Sequence, residues 1–222
     1  SGLPAVVTYE VVEVEANANN FVTTSVGETG TIGATGTSTA AFTNTKSEGG
    51  LVVSKKVVSA ITADHTKIFD ITVTLNDSTI AGTYGDATFK NGVATLSLKD
   101  GDVKVIEGLP IGVGYKVEET LTVAYGNIYT VTYSGETGTI EKNKTKAALV
   151  TNTRKTTELT ISKAVVSKIT SDHSEAFLFT LELSPAITGE YSGVYIADGK
   201  AQLWLKDGES ITLKGIPYGT TY

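Results

Sequence analysis

Short runs of alternating apolar and polar residues dominate the hydrophobic pattern of this chain. In residues 69–75 every second residue is large and apolar, and residues 93–98 alternate in the same way. A period of two is typical of a strand with one buried face. Turn signals such as Asn91-Gly92 and Asp100-Gly101 separate the runs. With about seven short strands per unit and no convincing helical period, the pattern predicts an all-β, Ig-like β-sandwich.

Internal repeats define the domain organisation. The hexapeptide Gly-Glu-Thr-Gly-Thr-Ile at residues 27–32 recurs unchanged at residues 135–140. Thr-Asn-Thr at residues 43–45 recurs at residues 151–153, and Leu-Val-Val-Ser-Lys at residues 51–55 returns as Leu-Thr-Ile-Ser-Lys. Every offset is about 108 residues, which is the size of an ordinary domain and too long for a solenoid repeat.

The repeats therefore predict a tandem array of globular domains, cut out of phase. Residues 1–47 correspond to the C-terminal part of one repeat domain, residues 48–155 to a complete domain, and residues 156–222 to the N-terminal part of a further domain. We expect the chain to be an internal segment of a longer protein. The linker between the second and third units contains neither Pro nor Gly, which favours a semi-rigid rod.

Composition and charge exclude several classes of protein. The chain has no cysteine, so disulfide frameworks, zinc ribbons and thiol nucleophiles are excluded. With 18 Lys and Arg against 24 Asp and Glu, it lacks the basic surface of a nucleic-acid-binding protein. No apolar run is long enough to predict membrane insertion. His65 and His173 lie in separate repeats and are expected to be solvated loop residues, so no metal or cofactor is predicted.

Three polar residues fall on inward-facing positions of predicted strands. Lys55 shares a strand face with two apolar residues, and Lys163 occupies the same position one repeat later. Asn152 shares a face with Val150 near the end of the unit, and Asn44 is its repeat mate. A second motif, Tyr-x-Val-x-Glu, places its Glu inward at residues 115–119 and 9–13. Burying Lys, Asn and Glu in one small sandwich is costly unless they contact each other.

These motifs resemble the Cna B-type domains of Gram-positive surface proteins. The matching features are Leu-x-Val-x-Lys on the first strand, Tyr-x-Val-x-Glu after a Gly-x-Pro turn, and a terminal Thr-Asn-Thr strand. The pattern is most similar to the pilin isopeptide-linkage domains of streptococcal-type pilus shafts. The resemblance covers the whole chain, in fractions of three domains.

The resemblance implies an autocatalytic, intramolecular isopeptide bond between Lys55 and Asn152. Glu119 would assist by polarising the side-chain carbonyl of Asn152. This is a single-turnover modification, so the chain is not expected to be an enzyme. A buried ion pair with an amide hydrogen bond, without a covalent link, is the alternative arrangement of the same residues.

The two partial units contain an incomplete set of the same residues. Glu13 and Asn44 occur in the first unit without the Lys strand, whereas Lys163 occurs in the third unit without the Glu or Asn strands. Two explanations stay open. Either the chain is a window on a longer array, or the tail of one chain complements the head of the next in a head-to-tail fibre.

We predict a structural shaft or stalk module of a bacterial pilus or cell-wall-anchored surface protein, located outside a Gram-positive cell. Its partners would be neighbouring copies of itself. The alternative is an adhesin module that binds a host protein or glycan, for which Trp204, expected to be exposed, is the main aromatic candidate.

Overall fold

A computed structural model describes residues 3–222 of the chain. Residues 3–47 contain four short strands, which pair as two separate antiparallel ribbons, β1 with β3 and β2 with β4. The strands are β1 (Thr8–Glu10), β2 (Phe21–Val26), β3 (Thr29–Thr31) and β4 (Ala41–Lys46).

The middle unit is a two-sheet sandwich. Its sheets have the strand orders β10-β5-β14-β12 and β13-β11-β6-β9, and β7 pairs with β8 as a small ribbon. Within these sheets only the β5–β14 pair is parallel. The strands are β5 (Glu48–Val58), β6 (Phe69–Leu75), β7 (Gly82–Tyr84), β8 (Ala87–Phe89), β9 (Val93–Leu98), β10 (Val103–Pro110), β11 (Gly114–Glu119), β12 (Tyr129–Ser134), β13 (Thr137–Thr139) and β14 (Thr145–Arg154).

The third unit repeats the first half of this topology. Strand β15 pairs with β20, β16 with β19, and β17 with β18, as β5 pairs with β10, β6 with β9, and β7 with β8. The strands are β15 (Thr156–Ser162), β16 (Phe177–Glu182), β17 (Gly189–Tyr191), β18 (Val194–Ile196), β19 (Lys200–Leu205) and β20 (Ser210–Pro217).

The structure confirms the all-β sandwich that the alternating sequence pattern predicts. In β6 the residues at alternate positions from Phe69 to Leu75 are at most 4% exposed, while the residues between them face outward. The inner faces of both sheets form one buried apolar cluster, to which Leu51, Ile71, Leu98 and Val117 contribute. Lys56 is exposed, as expected from its place next to the inward Lys55.

One short helix was not expected from the sequence. Helix α1 (Val123–Ile128) follows β11, and the side chain of Thr122 caps it by accepting a hydrogen bond from the backbone nitrogen of Tyr125. Two 3₁₀ turns cover Thr62–Thr66 and Thr170–Ser174. Six residues are too few to show a helical period in the sequence. Tyr125 and Ile128 pack against the buried rings of Phe69 and Tyr129, so tertiary contacts support this helix.

The first and third units leave apolar residues uncovered at positions that are buried in the middle unit. Phe177 is 38% exposed, whereas its repeat mate Phe69 is 2% exposed. Val11 is 43% exposed, whereas Val117 is fully buried. Among the described residues, no strand of residues 3–47 pairs with a strand of residues 156–222. The division into one complete and two partial units stays a prediction, with which these exposures agree.

Candidate functional site

Two neighbouring strands of the middle unit bring Lys55 and Asn152 together. Strands β5 and β14 run parallel, with Lys55 opposite Val150 and Asn152 opposite Val57. Side chains two residues apart on a strand share a face. Lys55 and Asn152 therefore both point into the sandwich, diagonally across one pair of strands.

The contact between these two side chains is direct and dry. The Nζ of Lys55 donates a hydrogen bond to Oδ1 of Asn152 at 2.8 Å. Lys55 is 2% exposed and Asn152 is fully buried. The same Nζ lies 3.2 Å from the carbonyl oxygen of Lys56 and 3.4 Å from that of Val150. The amine is thus held beside the side-chain amide, without solvent between them.

Glu119 reaches the same point from the opposite sheet. It is the last residue of β11, and its side chain is fully buried. Its Oε1 accepts a hydrogen bond from Nδ2 of Asn152 at 2.6 Å, and its Oε2 lies 3.3 Å from Nζ of Lys55. The structure therefore brings all three predicted site residues of the middle unit together.

The surroundings of the amine are apolar and aromatic. The Nζ of Lys55 lies 4.7 Å from the centroid of the Phe69 ring, which packs edge-on against Tyr129. Burial lowers the pKa of Lys55 from its ordinary value, and the neighbouring Glu119 carboxylate opposes this only in part. A lowered pKa increases the fraction of neutral amine, which is the nucleophilic form.

The position of the Glu119 carboxylate differs from the sequence-based expectation. It contacts the amide nitrogen of Asn152 rather than the carbonyl oxygen that it was expected to polarise. One carboxylate therefore touches the nitrogen that would attack and the nitrogen that would leave. This geometry suits a proton relay between two nitrogens more than activation of the carbonyl oxygen.

The partial set in the first unit is also in contact. The Nδ2 of Asn44 donates to Oε1 of Glu13 at 2.7 Å, close to the 2.6 Å of the corresponding pair in the middle unit. The Oγ1 of Thr23 donates to the other amide atom, Oδ1 of Asn44, at 2.6 Å. Both contacts are exposed to solvent.

Lys163 lies apart from this pair. Its Nζ donates to the carbonyl oxygen of Ala164 and lies 4.2 Å from the centroid of the Phe177 ring, as Lys55 lies over Phe69. Within residues 3–222 no hydrogen bond or ion pair joins Lys163 to Asn44 or Glu13.

The two histidines have a structural role that the sequence reasoning missed. The Nδ1 of His65 lies 2.7 Å from Oδ2 of Asp100, and its Nε2 lies 3.1 Å from the carbonyl oxygen of Ser59. His173 makes the same two contacts in the third unit. These rings tie a loop to a hairpin turn and are only partly exposed to solvent. The available signal was the recurrence of Asp-His at an offset of 108 residues together with that of Lys-Asp-Gly at an offset of 107.

Other sequence-based expectations concern metals, membranes and the single tryptophan. Within the described part of the chain, no cluster of His, Asp and Glu could hold a metal ion. None of the helices in residues 3–222 has the length and apolar character needed to span a bilayer. Trp204 is 63% exposed, as expected, and lies opposite Leu178 on the outer face of β19.

The fold and the site define a class of protein. This is a repeated β-sandwich in which a buried Lys on the first strand of the unit contacts a buried Asn on the last strand, and a buried Glu from the opposite sheet contacts both. Residues 49–154 and 157–222 match a family described as "Domain of unknown function (DUF7601)", and the chain belongs to this family.

The chain is also similar to the pilus tip adhesin Cpa of Streptococcus pyogenes, with 42% identity over 77 residues. The match covers 32% of this chain and only 11% of that protein. It confirms the resemblance to Gram-positive pilin-type domains that the motifs indicate.

Two solved structures show a weaker likeness. The major pilin from Streptococcus pyogenes matches with a TM-score of 0.38 and 16% identity, over 79% of this chain and 80% of that one. A bacterial adhesin from Mobiluncus mulieris, with intramolecular disulfide, isopeptide and ester cross-links, matches with a TM-score of 0.40 and 15% identity. That match covers 59% of this chain and 53% of the adhesin.

Proposed function

We propose that the middle unit crosslinks itself by an isopeptide bond between Lys55 and Asn152. The observation that carries this proposal is the contact of three fully buried side chains, with Lys55 Nζ 2.8 Å from the amide of Asn152 and Glu119 touching both. Placing an amine beside an amide in a dry core provides the orientation that an intermolecular reaction lacks.

The reaction balances without a cofactor. The neutral Nζ of Lys55 attacks Cγ of Asn152, the new Cγ–Nζ bond forms, and the Cγ–Nδ2 bond breaks. Glu119 takes a proton from Nζ through Oε2 and passes a proton to Nδ2 through Oε1, so that ammonia leaves and the carboxylate is restored. The middle unit reacts only once, so the proposed role of the chain is structural rather than enzymatic.

The bond would change the path of a pulling force through the unit. Strand β5 begins the unit, β14 ends it, and the two are parallel neighbours. With Lys55 joined to Asn152, tension would pass along the start of β5, through the bond and out along the end of β14. Residues 56–151, which include most of the core, would carry no load.

This mechanical role fits a pilus-related protein at the surface of a Gram-positive cell. Support comes from the sequence similarity to a pilus tip adhesin and from the tandem repetition of the unit. Within that class we propose a shaft or stalk module, since a repeated, crosslinked sandwich would resist extension.

Intact mass spectrometry tests the bond. We expect the 222-residue chain to be lighter than its formula mass by one ammonia, about 17 Da. A peptide map should contain a branched peptide that joins Lys55 and Asn152. Asn152→Ala should remove both signals, whereas Asn44→Ala in the first unit should leave the intramolecular bond intact. A parent chain at its full formula mass would refute the proposal.

The site residues that are divided between the first and third units favour a second function, which is head-to-tail assembly of chains. Glu13 and Asn44 are already in contact, and Lys163 already lies over its aromatic neighbour. The first unit supplies the repeat mates of β11 to β14, and the third unit supplies those of β5 to β10. Two chains together would therefore contain every strand of one further sandwich.

Gel electrophoresis under denaturing conditions tests this assembly. We expect concentrated chains to form covalent dimers and larger multimers, and Lys163→Arg or Asn44→Ala to abolish them. Lys56→Arg, at an exposed position of the middle unit, is the matched control and should leave the ladder unchanged. Monomers alone on the denaturing gel would refute the intermolecular bond, and a monomer at all concentrations on a sizing column would refute complementation itself. Neither result would affect the bond of the middle unit.

A further inference from the structure

A polar cluster that the proposed function does not use lies where the middle unit meets the third unit. The linker residue Lys155 donates its backbone N–H to the carbonyl oxygen of Ile128 at 2.9 Å and accepts from the N–H of Tyr218 at 2.8 Å. The linker therefore has hydrogen bonds to both units. Beside it lies the loop after β5, which contains Ile61 and Asp64.

Asp64 is the charged centre of this junction. It is fully buried, and its carboxylate accepts hydrogen bonds from Ser59 Oγ at 2.6 Å and Lys67 Nζ at 2.9 Å. Burial by itself would raise its pKa, but the hydrogen bonds from Ser59, Lys67 and Tyr129, together with the charge of Arg154, lower it to about 2. Asp64 is therefore a buried anion, which requires partners that stay in place.

Arg154 connects this anion to the next unit. Its Nη1 donates to both carboxylate oxygens of Asp64, at 3.1 and 2.9 Å, and its Nε donates to the carbonyl oxygen of Tyr218 at 3.1 Å. Its side chain is 9% exposed. One planar guanidinium thus bonds a loop of the middle unit and a turn of the third unit at the same time.

An apolar contact accompanies the polar one. Ile61 is 4% exposed and belongs to the same buried cluster as Leu213, Ile216 and other residues of the third unit. Its repeat mate Ile169 begins an equivalent 3₁₀ turn with nearly the same φ and ψ, yet it is 61% exposed. Because the local structure is the same, the difference in exposure measures what the adjoining unit covers.

We propose that Ile61, Asp64 and Arg154 form an interdomain lock that holds the third unit in one orientation relative to the middle unit. The backbone path of the linker is repeated at the other junction, where Ser47 N–H bonds Asn20 and Ile111 N–H bonds the carbonyl of Ser47. There Lys46 stands at the position of Arg154, and its Nζ donates to the carbonyl oxygen of Asn19 at 2.8 Å. Tension or bending would then pass across the junction of the middle and third units without a hinge.

Spin-label distance measurement on the full chain tests the lock. Because the chain has no cysteine, Thr88→Cys in the middle unit and Gln202→Cys in the third unit give two unique labels at exposed strand positions. We expect one narrow distance distribution in the parent. In Ile61→Ser and in Arg154→Lys the single narrow peak should be lost, and the double variant should have the broadest distance distribution.

The controls separate loss of the lock from loss of folding. Arg154→Lys keeps a positive charge for Asp64, and Ile61→Ser does not empty the core of the middle unit, because Ile61 packs on the third unit. Ile169→Ser, at the exposed repeat mate, should leave the narrow peak unchanged. Near-ultraviolet circular dichroism should show that every variant is folded. A broad distribution in the parent, or a narrow one in folded Ile61→Ser and Arg154→Lys, would overturn the proposal.

Discussion

Replacing Glu119 by Gln should prevent the crosslink while preserving the shape of the site. Gln can still accept a hydrogen bond from Asn152, but it cannot take a proton from Lys55. The variant should therefore keep its full formula mass. Its middle unit should then be stabilised by non-covalent contacts alone.

The expected loss of stability follows from the loop that the bond would close. Lys55 and Asn152 are 97 residues apart, and by analogy with a disulfide a loop of this size is worth about 4–5 kcal/mol. For a domain of about 100 residues, 1 kcal/mol shifts the unfolding temperature by about 4–8 °C, so the midpoint should fall by about 16–40 °C. Without the Glu119 carboxylate, which raises the pKa of Lys55, burial should lower that pKa further, so Lys55 should be a neutral amine in the variant.

Scanning calorimetry and intact mass on the same preparation provide the assay. Glu13→Gln is the matched control, because Glu13 makes the equivalent hydrogen bond to Asn44, but in a contact that is open to solvent. In monomeric chains Glu13→Gln should change neither the loss of ammonia from the middle unit nor the main unfolding transition. If the Glu119→Gln variant still loses ammonia, or unfolds at the same temperature as the parent, the role given to the Glu119 carboxylate is refuted.

The remaining predictions concern turns, pH and the exposed tryptophan. Gly135 and Gly101 both have positive φ, 68° and 81°, but a Cβ at Gly135 would overlap the backbone of β14 while the space at Gly101 is open. In urea titrations Gly101→Ala should cost about 1 kcal/mol and Gly135→Ala about 1–3 kcal/mol more; equal losses would contradict the overlap. Hydrogen bonding to a carboxylate raises the pKa of both His65 and His173 above 6.5, so their contribution is present below that pH and is lost as pH rises through the raised value. Unfolding temperature should fall as pH rises above 6.5, and this fall should be smaller after His65→Gln with His173→Gln. Trp204→Ala should change the free energy of unfolding by no more than about 0.5 kcal/mol, because the ring is 63% exposed.

The strand pattern and the candidate site were predictable because both follow from local periodicity. A side chain two residues from a buried apolar residue on a strand must face the same way, so the inward positions of Lys55, Glu119 and Asn152 could be identified before the structure was known. The same rule placed Lys56 outside. Periodicity does not give distances, however. That Glu119 meets the amide nitrogen of Asn152 depends on how two sheets pack, and the expected contact with the carbonyl oxygen was not found.

Helix α1 shows the limit of local signals. Its six residues contain Gly126 and lack an apolar stripe, and helices of this length are not stable in isolation. The helix exists because Tyr125 and Ile128 pack against Phe69, which lies more than fifty positions earlier in the chain. Only the folded sandwich brings these rings together.

The repeats separate most clearly what the sequence decides from what the tertiary structure decides. The sequence determined that Ile61 and Ile169 begin equivalent turns, because the surrounding Ser, Asp and His residues recur and make the same hydrogen bonds. It could not determine that one of them is buried and the other exposed. That difference arises because Leu213 and Ile216 of the third unit belong to the same buried cluster as Ile61, and burial is a property of neighbours in space rather than of neighbours in the chain.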